Sequence, residues 1–128
     1  MSLTVPASLL EKAQHGAVSD DEFVDCIRES LPYAWSMIER LAKELDATGA
    51  PSAQNLEVPP DDASWGEVFR LVGSDAMRGA VQHHFGVCMA FQNCCRVGLF
   101  GLDATEEYEA FISPRAQLLN QDPSLLNC

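Results

Sequence analysis

Three features of the sequence predict a mainly helical α+β fold, with about five to six helices around one core and a single β-hairpin near residues 87–100. Apolar residues recur at helical spacing over most of the chain. Helix-start signals precede several of those runs, and the helical spacing breaks at "VCMAF" and "CRVGLF", short apolar runs rich in strand-forming residues. At 128 residues and 47% hydrophobic composition the chain fits one domain spanning its whole length, with a core large enough to fold without metal or disulfide staples.

Taken in order, Pro6 suits a helical first turn, because its missing N–H has no partner to lose there. Leu9, Leu10 and Ala13 then share a face, and Gly16 stops the run. Ser19 and Glu22 have the S-x-x-E spacing of a capping box, and Asp20 and Asp21 complement the positive end of the helix dipole. Phe23, Val24, Ile27 and Leu31 continue that helix. "SLPYAWSMIERLAKEL" is the best amphipathic segment, with Ser30 as the expected cap and Ala34, Met37, Ile38, Leu41 and Leu45 as its apolar stripe.

Residues 46–62 carry three prolines, a glycine and little periodicity, so they read as a loop, and a long one. Ser64 and Glu67 repeat the capping-box spacing before a helical run in which Trp65, Val68, Phe69, Val72, Ala76 and Ala80 trace one face. Gly73-Ser74-Asp75 divides this run into two helices; alternatively, its glycines admit another backbone at close range. Gly86 ends it. The hairpin follows, with Gln92 and Asn93 expected at its turn, and "ATEEYEAFI" and "SPRAQLLN" read as closing helices.

The stretch "HHFGVCMAFQNCCRVGLF" concentrates His83, His84, Cys88, Cys94 and Cys95, the candidate ligand or redox residues. Their spacing matches no zinc knuckle, since structural zinc takes paired C-x₂₋₄-C or H-x₃₋₅-H elements. Adjacent histidines on a helix diverge by about 100°, and adjacent cysteines on a strand face opposite sides. The histidines also sit near a helix C-terminus, the wrong end to activate a thiolate. Buried packing is the simpler role for these cysteines. No metal and no cofactor is expected.

No phosphate loop, nucleophile elbow or H-E-x-x-H motif is present. The net charge of −11 excludes electrostatically driven binding to nucleic acid or an anionic membrane, and no apolar stretch approaches a membrane span. Lacking a basic, then apolar, N-terminal segment, the chain is expected in the cytoplasm. Two functional classes follow. The leading one is a non-enzymatic regulatory or protein-interaction domain, self-associating as a homodimer, with Tyr33, Trp35 and Trp65 as the candidate partner surface. Tyr33 and Trp35 flank the apolar stripe of their helix, however, and core packing is the simpler role for Trp35. The alternative is a small-molecule, metal or redox-thiol binding protein built on the His/Cys cluster at 83–95.

At "LPYAW", "DAMRGAVQHHFGVCMAFQNCCRVGLF" and "AQLLNQ" the chain resembles a family of small, acidic, single-domain proteins from Streptomyces and related actinomycetes. The resemblance covers nearly the whole chain and centres on "HFGV" and "AFQNC". It implies a cytoplasmic bacterial protein and carries over no catalytic or binding residue. The adjacent Cys94–Cys95 pair departs from that pattern.

Overall fold

A computed structural model describes residues 3–92 and 95–121. Among them lie seven helices and a three-stranded antiparallel sheet. In chain order these are α1 (Ala7–Gln14), α2 (Asp20–Ser30), α3 (Pro32–Thr48), β1 (Ser52–Gln54), α4 (Asp62–Val72), α5 (Asp75–Phe85), β2 (Val87–Gln92), β3 (Arg96–Gly101), α6 (Thr105–Phe111) and α7 (Pro114–Leu119). The mainly helical α+β class and the hairpin stand as the sequence predicts. The expected loop at 46–62 is a different matter: α3 runs on to Thr48, and β1 pairs with β3 in the order β1-β3-β2. Ser-Ala-Gln has no strand propensity of its own, so β1 exists because β3 offers it an edge.

The capping box at the start of α2 is complete. Ser19 Oγ accepts from Glu22 N–H at 3.2 Å, and Glu22 Oε1 accepts from Ser19 N–H at 3.2 Å. Lys12 reaches across from α1 to Glu22 at 2.6 Å, and that hydrogen bond, with those from Ser19, holds the Glu22 carboxyl below its usual range. Asp61 is lowered too, by hydrogen bonds from Ser64. A carboxyl whose folded pKa is depressed contributes stability that is fully present above its unfolded pKa and is lost as pH falls through the folded one. Thermal stability is therefore expected to be insensitive to these two groups above about pH 5 and to fall below it. Ser19→Ala should shrink that acid-side decline, which a melting series across pH would read.

The cap of α3 corrects the sequence reading. Leu31 occupies the N-cap position, with Pro32 in the first turn, and no side chain caps the helix. Ser30 turns instead to the N-terminal segment, where its hydroxyl accepts from Thr4 N–H at 2.9 Å. Helix α3 then runs through the centre of the fold. Its buried face (Ala34, Trp35, Met37, Ile38, Leu41, Ala42 and Leu45) meets α2, α4, β1 and β3.

Helix α4 likewise begins three residues before its expected start. Asp61 is the cap, accepting from Ser64 N–H at 2.8 Å, so Ser64 is a recipient of capping and not its source. Glu67, freed from a capping box, accepts from Tyr33 N–H at 3.0 Å and so satisfies a first-turn donor of α3. Gly73 closes α4 and Ser74 caps α5, which settles the division of this run into two helices. Gly86 ends α5 in the left-handed conformation, φ +65°, a position that favours glycine.

The register of the hairpin sorts its residues. Val87, Met89, Phe91, Val97 and Leu99, joined by Ala53 of β1, share the face that packs on the large helical core. Cys88, Ala90, Gln92, Gly98 and Phe100 share the other. That second face is covered by α6, whose Phe111 and Tyr108 meet Phe100 at ring-centroid distances of 5.2 and 5.6 Å. Burial on both faces explains why β2 and β3 read as continuous apolar runs rather than as alternating ones. Gln92 is a correction: it is no turn residue but the last residue of β2, paired with Arg96, 2% exposed and donating to the Phe111 carbonyl at 2.7 Å. Asn93 lies outside the described residues.

Candidate interaction surfaces

The fold distributes the His/Cys stretch rather than gathering it. His83 and His84 are exposed in the last turn of α5. Cys88 is half-buried on the sheet face that packs on α6. Cys95 is buried before β3, and its carbonyl accepts from the Asn55 side chain at 3.0 Å. Cys94 lies outside the described residues. Among the described residues, no group of three or more His, Cys, Asp or Glu is placed to hold a metal ion.

Asn55 is a structural residue that the sequence did not announce. It is 2% exposed, yet every polar atom of its amide is engaged. Its Nδ2 donates to the Cys95 and Glu57 carbonyls at 3.0 and 2.9 Å, while Oδ1 accepts from the Arg40 guanidinium at 2.6 Å. Arg40 also pairs with Glu57 at 3.4 Å. One side chain thus ties the segment after β1 to α3 and to the approach to β3. Tyr33 stands beside this node. Its partial burial raises the phenol above its ordinary range, an effect that Arg40 opposes.

Of the aromatic residues expected at a partner surface, Trp35 belongs elsewhere. It is 3% exposed, between Arg28, whose guanidinium lies 4.7 Å from its ring centroid, and the rings of His84 and Phe85 at 5.3 and 5.2 Å. A position beside the apolar stripe of α3 therefore means core here. Tyr33 and Trp65 keep part of their surface exposed. Trp65 stacks on Phe69 at 5.8 Å, and Phe69 meets Phe91 of β2 edge-on at 6.1 Å. Phe69 was expected on the inward face with Val68 and Val72, but it is 41% exposed. The buried stripe of α4 runs through Ser64, Val68, Leu71 and Val72, and Trp65 and Phe69 stand one step to its side. Three aromatic rings thus form a continuous, partly exposed surface across two elements.

A concave feature lies between the start of α2 and the outer face of α5, a groove of about 590 Å³. Asp20 and Asp21 edge it on one side; Ala76, Gly79, Ala80 and His83 floor it on the other. These α5 positions recur at helical spacing, so Ala76, Gly79 and Ala80 form a run of small residues along one helix face, ended by the larger His83. A Cβ at Gly79 would meet nothing within 4 Å, so the chain's own packing does not call for glycine there. Gly79→Ala is accordingly expected to stabilise the protein by about 0.5–1 kcal/mol, read as a raised midpoint of chemical unfolding.

A family model described as NucS shadow ORF, its label carrying the prefix KH, matches residues 1–128. The chain belongs to the NucS shadow ORF family. Comparisons with curated proteins and with solved structures gave no match. In this NucS shadow ORF protein the elements from β1 to α6 run β-α-α-β-β-α. Among the described residues, no helix is long and apolar enough to cross a membrane.

Proposed function

We propose that this NucS shadow ORF protein is a non-enzymatic interaction domain that self-associates as a homodimer through the Trp65–Phe69–Phe91 surface. The observation that carries this reading is the exposure of Phe69 between two further rings. Aromatic side chains supply a large apolar area at little entropic cost and are enriched at the centres of interfaces. A twofold contact needs one patch that complements itself, and rings that stack and meet edge-on can do so. The residue content supports a binding role over a catalytic one, since it carries no recognised catalytic motif.

Nucleic acid is not the partner this chemistry favours. A KH module clamps the nucleotide backbone on a GXXG loop. Here the link between α4 and α5 reads Gly73-Ser74-Asp75-Ala76, without the second glycine and with a carboxylate that would face phosphate. A net charge of −11 adds long-range repulsion. On the residues that resemble the actinomycete proteins, we place the chain in the cytoplasm of such a bacterium.

Sedimentation velocity tests the proposal. The wild-type protein is expected to be dimeric at high micromolar concentration, and Phe69→Ser monomeric with an unchanged circular dichroism spectrum. A monomeric wild type, or a variant that dimerises equally well, would remove the reading.

A further inference from the structure

We propose that a cleft on the α6 side of the sheet binds a small amphipathic molecule carrying an amidine or similar N–H-bearing cation. Its volume is about 320 Å³, at the lower end of the range for small-ligand sites. The strand register puts Ser52, Gln54, Gln92 and Phe100 on one face of the sheet, and α6 adds Glu107 and Phe111. The observation that points to a ligand is Gln92. It lines the cleft, it is 2% exposed, and its Oε1 is buried without a hydrogen-bond partner among the described residues. The orientation of this amide is not open to choice. The Phe111 carbonyl only accepts, so Nε2 must face it, as it does at 2.7 Å, and Oε1 is turned away. A buried acceptor without a donor costs the free protein stability, and a ligand N–H that reaches it recovers that cost.

The lining sets the chemistry of the occupant. Phe111 and Phe100, with Ala110 beside them, offer an apolar wall to a ring. Among the described lining residues Glu107 alone is charged; it is exposed and enters no ion pair with another described residue. Arg96, opposite Gln92 in the register, does not line the cleft. A buried acceptor with a carboxylate at the mouth selects a donor-rich, positively charged group and rejects an anion. None of His83, His84, Cys88 and Cys95 lines this site, so it is not the ligand site their clustering in the sequence suggests. It also lies on the sheet face opposite Phe91, and so goes beyond the self-association reading.

The test titrates the intact, isotope-labelled protein with benzamidine, benzamide and benzoate, followed by nuclear magnetic resonance. Benzamidine is expected to bind in the millimolar range usual for so small a molecule and to shift the side-chain amide signals of Gln92. Benzamide should bind roughly three- to tenfold more weakly, and benzoate not measurably. Ala110→Leu fills the cleft from an exposed position of α6, and should weaken benzamidine binding roughly tenfold or more with the fold intact. Gln92→Met removes the acceptor at similar side-chain length and should do the same; if that variant does not fold, Ala110→Leu still decides. Glu107→Gln should weaken binding roughly three- to tenfold, and Glu106→Gln, outside the lining, by less than about twofold. Phe69→Ser should bind benzamidine as the wild type does, so a failure of self-association and a failure of this inference remain distinguishable. No binding by the wild type, benzoate binding as tightly as benzamidine, full binding by Ala110→Leu, or equal losses from the two glutamate variants would each overturn the proposal.

Discussion

Phe100→Ala is expected to destabilise the protein by about 3–5 kcal/mol, the range for a fully buried aromatic whose cavity cannot collapse. Phe100 is 1% exposed and fills the small core between the sheet and α6, in contact with Phe111 and Tyr108. Gly98 shows how closely this space is filled: a Cβ there would approach the Phe100 ring to 2.8 Å and the Phe111 ring to 3.2 Å. Removing the ring leaves α6 little to rest on. Phe91→Ala should cost distinctly less, because Phe91 is only partly buried and its ring shares the exposed aromatic surface with Phe69. Urea unfolding of the two variants side by side measures the difference. Equal losses would mean that the two faces of the sheet are buried alike.

Asn55→Ala should be the second large effect, about 2–4 kcal/mol, because it leaves the Cys95 and Glu57 carbonyls and the Arg40 guanidinium without the group that joins them. Asn55→Asp is the sharper variant. A carboxylate would suit Arg40, but it accepts only, and it would face two carbonyl oxygens where the amide donates. It is expected to be no better than Ala. If Asn55→Asp proves neutral in the same unfolding experiment, the Arg40 contact alone carries the node and the two donated hydrogen bonds contribute little.

The parts of this fold that could be read from the sequence are those with local causes. Ser19 and Glu22, Pro32, Ser74, Gly86 and Ser113 act within one helical turn, so their spacing announces the elements they bound. Choices decided at long range leave no local mark in the sequence. β1 is a strand only because β3 pairs with it, and Ser30 gives up its capping position because Thr4 lies beside it. Glu67 likewise serves α3, 34 residues away in the chain, instead of its own helix. Asn55 lies in a segment without periodicity, and its three partners come from α3, from Glu57 and from the start of β3.

The interaction surfaces were half legible for a related reason. Trp65 reads as part of an apolar helix face and Trp35 as flanking one, yet it is Trp35 that is buried, and what packs against each decides the outcome. Trp35 meets Phe85 and His84 of α5; Trp65 meets a ring that is itself exposed. Phe91 joins that surface through the strand register, since it projects with Met89 and Val87 towards the helices. The groove was beyond reach, because it arises where two helices distant in sequence come together.

The self-association proposal is tested most directly by the salt dependence of the dimer. Two copies of a chain with net charge −11 repel each other, so a contact held by Trp65, Phe69 and Phe91 must overcome that repulsion through apolar burial. Screening weakens the repulsion and leaves the apolar term in place. Sedimentation equilibrium of the wild type and Phe69→Ser across a salt series should therefore show a wild-type dimer that tightens as salt rises, and a variant that stays monomeric throughout. A dimer that loosens with salt, or one that Phe69→Ser leaves intact, would contradict an aromatic interface.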